Sequence, residues 1–118
     1  LAPTGRAAKV MTAYANKLAL TIHKKIYKQV ADASSGRLSF QRQKNYQNNT
    51  LFIVDEASMI TDEADYGNRS LLADLIEYVF ENPGNKLMLV GDVTQLPPIG
   101  HALSPALDGD YLEKTYLN

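Results

Sequence analysis

The sequence predicts an α/β domain in which a parallel sheet is flanked by helices, and three observations predict it. Leu51-Phe52-Ile53-Val54 and Lys86-Leu87-Met88-Leu89-Val90 are short apolar runs of strand length, with the continuous character of strands buried on both faces. Between them, Leu71, Leu72, Leu75, Ile76, Val79 and Phe80 fall on one stripe at helical spacing. Each run ends in residues able to do chemistry: Asp55-Glu56 after the first, Gly91-Asp92 after the second. Strands alternating with helices wind into parallel sheets.

The remaining elements follow in chain order. Leu1 to Pro3 reads as the tail of a strand. Gly5 to about Asn16 reads as a helix with Ala7, Ala8, Met11 and Ala15 near one face, and Thr4 as its cap. Thr21 caps a second helix carrying Ile22, Ile26 and Val30 at helical spacing. The stretch from Ala33 to Thr50 is polar, turns at Ser34-Ser35-Gly36 and Asn48-Asn49, and alternates at Leu38 and Phe40 as an edge strand or hairpin would. Ser70 to Glu81 is the clearest helix, stopped by Asn82-Pro83-Gly84-Asn85. A loop from Gly91 to Gly100 and a short helix around Tyr111 to Tyr116 complete the chain.

Composition narrows the function. The chain has 118 residues, 45% hydrophobic and 21% charged, which suits one globular domain or a piece of one. Without cysteine there are no disulfides, no thiol catalysis and no cysteine-bound zinc. The two histidines, His23 and His101, are far apart, which argues against a histidine metal site. No apolar stretch reaches the roughly 18 residues that span a bilayer, and no secretory signal is visible, so a cytoplasmic location with no membrane partner is expected. The start at Leu1-Ala2-Pro3, without methionine, reads as a cut through an element. The net charge of −1 conceals an asymmetry: up to Thr50, nine basic residues face one acidic residue, a balance of +8. From Leu51 onward three basic residues face twelve acidic ones, a balance of −9. A basic half suits a polyanion such as nucleic acid; an acidic half can serve metal ions.

In a parallel sheet ligands sit at the carboxyl ends of the strands. Pro3-Thr4-Gly5-Arg6, Asp55-Glu56 and Gly91-Asp92 with Gln95 are therefore expected on one edge. Four apolar residues delivering two carboxylates to a strand end form a Walker B arrangement: Asp55 would serve magnesium through its water shell, and Glu56 would orient and deprotonate a water. Pro97 and Pro98 stiffen the loop that holds Gln95 where a γ-phosphate could be read. Thr4, Gly5 and Arg6 open one helix, and Thr21-Ile22-His23 another with Lys24, Lys25 and Lys28 close by, a pattern that suits a nucleic-acid backbone.

Together these segments resemble a known set. Ala2-Pro3-Thr4-Gly5-Arg6-Ala7-Ala8-Lys9 resembles motif Ia of superfamily 1B DNA helicases, and Thr21-Ile22-His23-Lys24 resembles their Thr-x-His motif. Asp55-Glu56-Ala57-Ser58-Met59 is similar to motif II, and Gly91-Asp92-Val93-Thr94-Gln95-Leu96-Pro97-Pro98-Ile99-Gly100 to motif III. From Ala2 to about Tyr116 the chain resembles RecD/TraA-like helicases, the family of the exodeoxyribonuclease V alpha subunit.

The resemblance implies a partial RecA-like (P-loop NTPase) domain over residues 1–118, part of an ATP-dependent helicase moving 5′ to 3′ on single-stranded DNA. It implies ATP and Mg²⁺ as cofactors of the full-length protein, and nuclease subunits of an exodeoxyribonuclease V-type complex as further partners. By position, it implies Pro3, Thr4, Arg6, Thr21 and His23 for DNA, Asp55 for magnesium, and Glu56 for water activation. Gln95 would couple the γ-phosphate to the DNA, supported by Asp92. The Gly-rich phosphate loop is expected upstream of Leu1, and the arginines of a second RecA-like domain beyond Asn118, so the chain by itself is expected to be inactive. Many members of the family it resembles carry aspartate just after Ser-Met-Ile, where this chain has Thr61 and then Asp62. Two other readings compete: a stand-alone nucleic-acid-binding module without ATPase activity, and a PhoH-like P-loop ATPase acting on RNA.

Overall fold

The computed structural model describes residues 1–62, 70–92, 94 and 104–116. Among them are four helices, α1 (Gly5–Ala15), α2 (Ile22–Ile26), α3 (Leu71–Phe80) and α4 (Gly109–Tyr116), and four strands, β1 (Tyr27–Ala31), β2 (Leu38–Arg42), β3 (Leu51–Val54) and β4 (Lys86–Leu89). β3 and β4 pair in parallel, Leu51 opposite Lys86 through Val54 opposite Leu89. The start of the chain extends this sheet. The Leu1 amine donates to the Ile53 carbonyl at 2.7 Å and the Asp55 N–H to the Leu1 carbonyl at 2.9 Å. Ala2 then bridges Thr21 in parallel, bonded to the backbone of Leu20 and Ile22. The parallel order is thus Thr21, Ala2, β3, β4, as an α/β fold requires.

Both strands depart from expectation in their burial. Phe52 and Val54 are buried, but Leu51 and Ile53 are exposed, and in β4 Met88 is exposed while Leu87 and Leu89 are partly covered. Among the described residues the core lies on one face of the sheet. There Ile22 and Ile26 of α2, Leu72, Leu75 and Val79 of α3, Ile60 and Ala106 pack on Phe52 and Val54. An apolar run therefore met a one-sided layer, and the period-2 alternation of the pleat decided which side chains were covered.

The second helix is also shorter than its periodicity suggests. α2 stops at Ile26, and Val30 lies in β1, paired antiparallel with β2. The turn explains the switch. Asp32 accepts from the Ser34 N–H and hydroxyl, both at 2.7 Å, Gly36 takes φ +68°, and the Asp32 N–H reaches the Arg37 carbonyl at 2.8 Å. A closed turn lets Tyr27 to Ala31 exchange helical bonds for a ladder with Leu38 to Arg42, which is the hairpin that Leu38 and Phe40 predicted.

The polar stretch after the hairpin holds α3 in place. The last carbonyls of a helix lack partners within it. Here Asn45 donates to the Tyr78 carbonyl and Asn85 to the Val79 carbonyl, both at 2.8 Å, while Asn82 donates to the Asn45 carbonyl at 2.7 Å. Arg42 adds ion pairs to Glu77 at 3.4 Å and Glu81 at 3.2 Å. At the other end, the Asp62 carboxylate accepts the hydroxyls of Tyr116 at 2.6 Å, Tyr111 and Ser70, tying α4 to the segment after β3. Burial first, and the Asp62 bond second, push the Tyr116 hydroxyl far above its ordinary value, so it stays a donor. No described helix is long and apolar enough to cross a membrane.

Candidate functional site

The parallel ladder brings the predicted segments to one edge. Pro3 and Thr4 follow Ala2, Asp55 and Glu56 follow β3, Gly91 and Asp92 follow β4, and Ile22 and His23 follow Thr21. Gln95, with most of the loop after Asp92, lies outside the described residues.

The turn after β3 is the tightest part of this edge. Glu56 has φ 55° and ψ 37°, the left-handed region that costs a side-chain-bearing residue roughly 1–2 kcal/mol. Three bonds fix the turn around it. The Glu56 N–H donates to Asp55 Oδ1 at 2.9 Å, the Met59 N–H to the Glu56 carbonyl at 3.1 Å, and the Ala57 N–H to the Val90 carbonyl at 2.9 Å. Ala57 and Ser58 are buried behind the two carboxylates, which remain partly exposed. The Ser104 hydroxyl donates to the Ser58 carbonyl at 3.0 Å. Strain held by surrounding bonds is typical of functional turns, because it aims a side chain that relaxed backbone would point elsewhere.

Gly91 is the contact that sequence reading missed. A Cβ there would lie 2.9 Å from Leu107 Cδ1, 3.0 Å from the Ser58 nitrogen and 3.2 Å from the Ala57 nitrogen. The end of β4 therefore rests directly on the backbone that carries Glu56. A glycine immediately after a buried run is the signal that could have found this contact; Ser104 left none. Gly91→Ala should destabilise the fold by about 1–3 kcal/mol through overpacking, read as a lower urea midpoint. An unchanged midpoint would show that the junction yields.

The other predicted residues take plain structural positions. Thr4 Oγ1 accepts from the Ala7 N–H at 3.2 Å and Thr21 Oγ1 from the Lys24 N–H at 3.1 Å, so both hydroxyls cap helices. Arg6 and His23 are exposed, Pro3 is partly covered, and the His23 ring lies 5.4 Å from that of Tyr27. Asp92 Oδ1 accepts from the Thr94 N–H at 2.8 Å and the Thr94 hydroxyl at 2.6 Å, and these bonds hold its carboxyl below the usual range. That geometry ties Asp92 to Thr94.

Among the described residues no group of three or more His, Cys, Asp or Glu side chains could hold a metal. Magnesium does not need one: it keeps several waters and binds through one or two carboxylates plus phosphate oxygens. Asp55, partly exposed at a strand end, fits that role. The G-x-x-x-x-G-K-[ST] spacing that cradles phosphates does not occur in the sequence.

A family model described as an AAA domain matches residues 1–101, a span that includes every strand end named above. No curated protein matches the chain. Domains of this type generally bind ATP with Mg²⁺. A small parallel sheet with helices, carrying a carboxylate pair where β3 ends, is consistent with part of a P-loop NTPase fold. The chain belongs to the AAA domain family and is P-loop helicase-like.

Proposed function

We propose that this chain, over residues 1–118, supplies the motif Ia to motif III portion of the first RecA-like domain of a RecD-like ATP-dependent DNA helicase. The observation that supports this best is the strained Glu56 turn, locked against Gly91 where two parallel strands end. Asp55 would hold magnesium through water, and the ion when bound would neutralise phosphate charge. Glu56 would orient the attacking water and take its proton, and Gln95 with Asp92 would sense the γ-phosphate. Pro3, Thr4, Arg6, Thr21 and His23 would form the single-stranded DNA track on the same edge. Nuclease subunits belong to the same reading by resemblance alone, and a cytoplasmic setting belongs to it as the default that the sequence suggests.

Because the phosphate-loop spacing is absent, the 118-residue chain by itself should bind ATP weakly and show no hydrolysis. Calorimetry with Mg-ATP and phosphate release, on this chain and on a version extended upstream by a phosphate loop, test the assignment. Micromolar ATP binding or turnover by the chain alone would place the nucleotide site elsewhere. Arg6→Ala should weaken single-strand binding with little sequence preference, since backbone contacts carry none, and should lower the salt slope by about 0.7. Filter binding at several salt concentrations measures this; unchanged affinity and slope would remove Arg6 from the track.

A further inference from the structure

Beside the Thr21–His23 segment lies a cleft of about 320 Å³ in which Lys24 and Lys25 meet Lys44 and Tyr46, two residues that none of the roles above uses. Lys24 and Lys25 of α2 form one wall, and Gln43, Lys44, Tyr46 and Gln47 face them. We propose that this cleft binds single-stranded nucleic acid, its lysines holding phosphates and Tyr46 stacking a base. The proposal rests on the helicase-like reading above and extends its track around α2.

Three features carry it. The first is charge: three lysines and no carboxylate line the cleft, and none of the three is in an ion pair with a described residue. Glu81, at the end of α3, is engaged by the Asn45 N–H at 2.9 Å and by Arg42 at 3.2 Å, which hold its carboxyl below the usual range. Lys44 only adds to that from a distance.

The second is an aromatic face. Tyr46 is 84% exposed, far more than packing would leave a ring with a structural task. The Lys44 ammonium stands 5.7 Å from its centroid, so a cation and a π-surface are presented together. Stacked bases between backbone-tracking cations are how single strands are held without sequence readout.

The third is rigidity. Asn45, between Lys44 and Tyr46, is buried and bonded to the Tyr78 carbonyl and to Glu81, while the Gln43 amide donates to the Lys25 carbonyl at 2.6 Å. The two walls are thus tied together, and the exposed side chains project from an anchored backbone. A preformed site loses less on binding than a loose one.

Fluorescence anisotropy of labelled oligo-dT with the 118-residue chain, titrated between 50 and 200 mM salt, tests the proposal, those concentrations spanning roughly the range where phosphate contacts matter. Tyr46→Ala should weaken binding about five- to hundredfold, as loss of one stacked base does, while Tyr46→Phe should bind as the unaltered chain. The Lys24→Ala/Lys44→Ala double variant should lower the log–log salt slope by about 1.4, two single-strand phosphates' worth. All three side chains are exposed, and circular dichroism would register any loss of fold. Equal losses in Tyr46→Phe and Tyr46→Ala overturn the stacking, and an unchanged slope in the double variant overturns the phosphate contacts. Variants that all bind as the unaltered chain overturn the cleft, and a loss in Arg6→Ala alone then leaves the wider reading standing. If the unaltered chain binds no single strand, the cleft proposal falls, and phosphate release by the form extended with a phosphate loop decides the wider reading separately.

Discussion

Replacing Glu56 by glutamine should leave nucleotide binding in place and reduce hydrolysis by about 10²–10⁴-fold, the contribution of a positioned general base. The exchange keeps volume and hydrogen-bonding reach and removes only the basic oxygen. The bonds that hold the turn run through backbone groups and Asp55: the Glu56 N–H to Asp55 Oδ1, Met59 to the Glu56 carbonyl, Ala57 to Val90. None needs the Glu56 carboxylate, so the left-handed turn should survive. Steady-state phosphate release on single-stranded DNA, measured in the form extended by a phosphate loop, reads the effect. Turnover within about threefold of the unaltered protein would mean that Glu56 does not activate water. A matching loss of ATP affinity would mean that its role is binding instead.

Truncating Leu75 to alanine should cost about 2–5 kcal/mol, the range for opening a cavity at a closed leucine site. Leu75 is fully buried in α3, within the cluster formed with Phe52, Val54, Ile22 and Ile26. The described core occupies one side of the sheet, and among the described residues no second apolar cluster compensates. Against a typical 5–15 kcal/mol for a whole domain, such a loss is large. Urea unfolding followed by circular dichroism should show a lower midpoint at an unchanged slope. A loss below about 1 kcal/mol would show that α3 packs too loosely to form the core described.

The two effects separate what the turn does from what supports it. Glu56→Gln tests the proposed chemistry on an intact scaffold, whereas Leu75→Ala weakens the scaffold beneath an unaltered carboxylate pair. Gly91→Ala lies between them, since its clash falls on the Ala57 and Ser58 backbone directly behind the carboxylates.

Much of this arrangement was legible in the residues. The stripe from Leu71 to Phe80 marked α3, Thr4 and Thr21 marked two helix starts, and the apolar runs ending in Asp55-Glu56 and Gly91-Asp92 marked parallel strands. These are local signals: a cap needs only its own N–H three residues on, and a stripe needs only helical periodicity. The parallel rule then placed Asp55-Glu56 and Gly91-Asp92 on one edge, because aligned strands must deliver their ends together.

Other features depended on residues far apart in the chain. Val30 sits at helical spacing from Ile26, yet a ladder with residues eight or more positions later outbid the helix. Leu51, Ile53 and Met88 are as apolar as their buried neighbours, and only the side on which α2 and α3 lie decided which would be covered. Asn45 looked like one polar residue among many until the α3 carbonyl at Tyr78 required a donor from outside its helix. The sequence by itself determined the P-loop helicase-like class, the strand–helix–strand order from Leu51 to Leu89 and the carboxylate pair, since each is written in adjacent or periodically spaced residues. The tertiary structure alone decided the strain at Glu56, its seat on Gly91 and the lysine-lined cleft beside Tyr46, because each forms where distant segments meet and compete for the same space and hydrogen bonds.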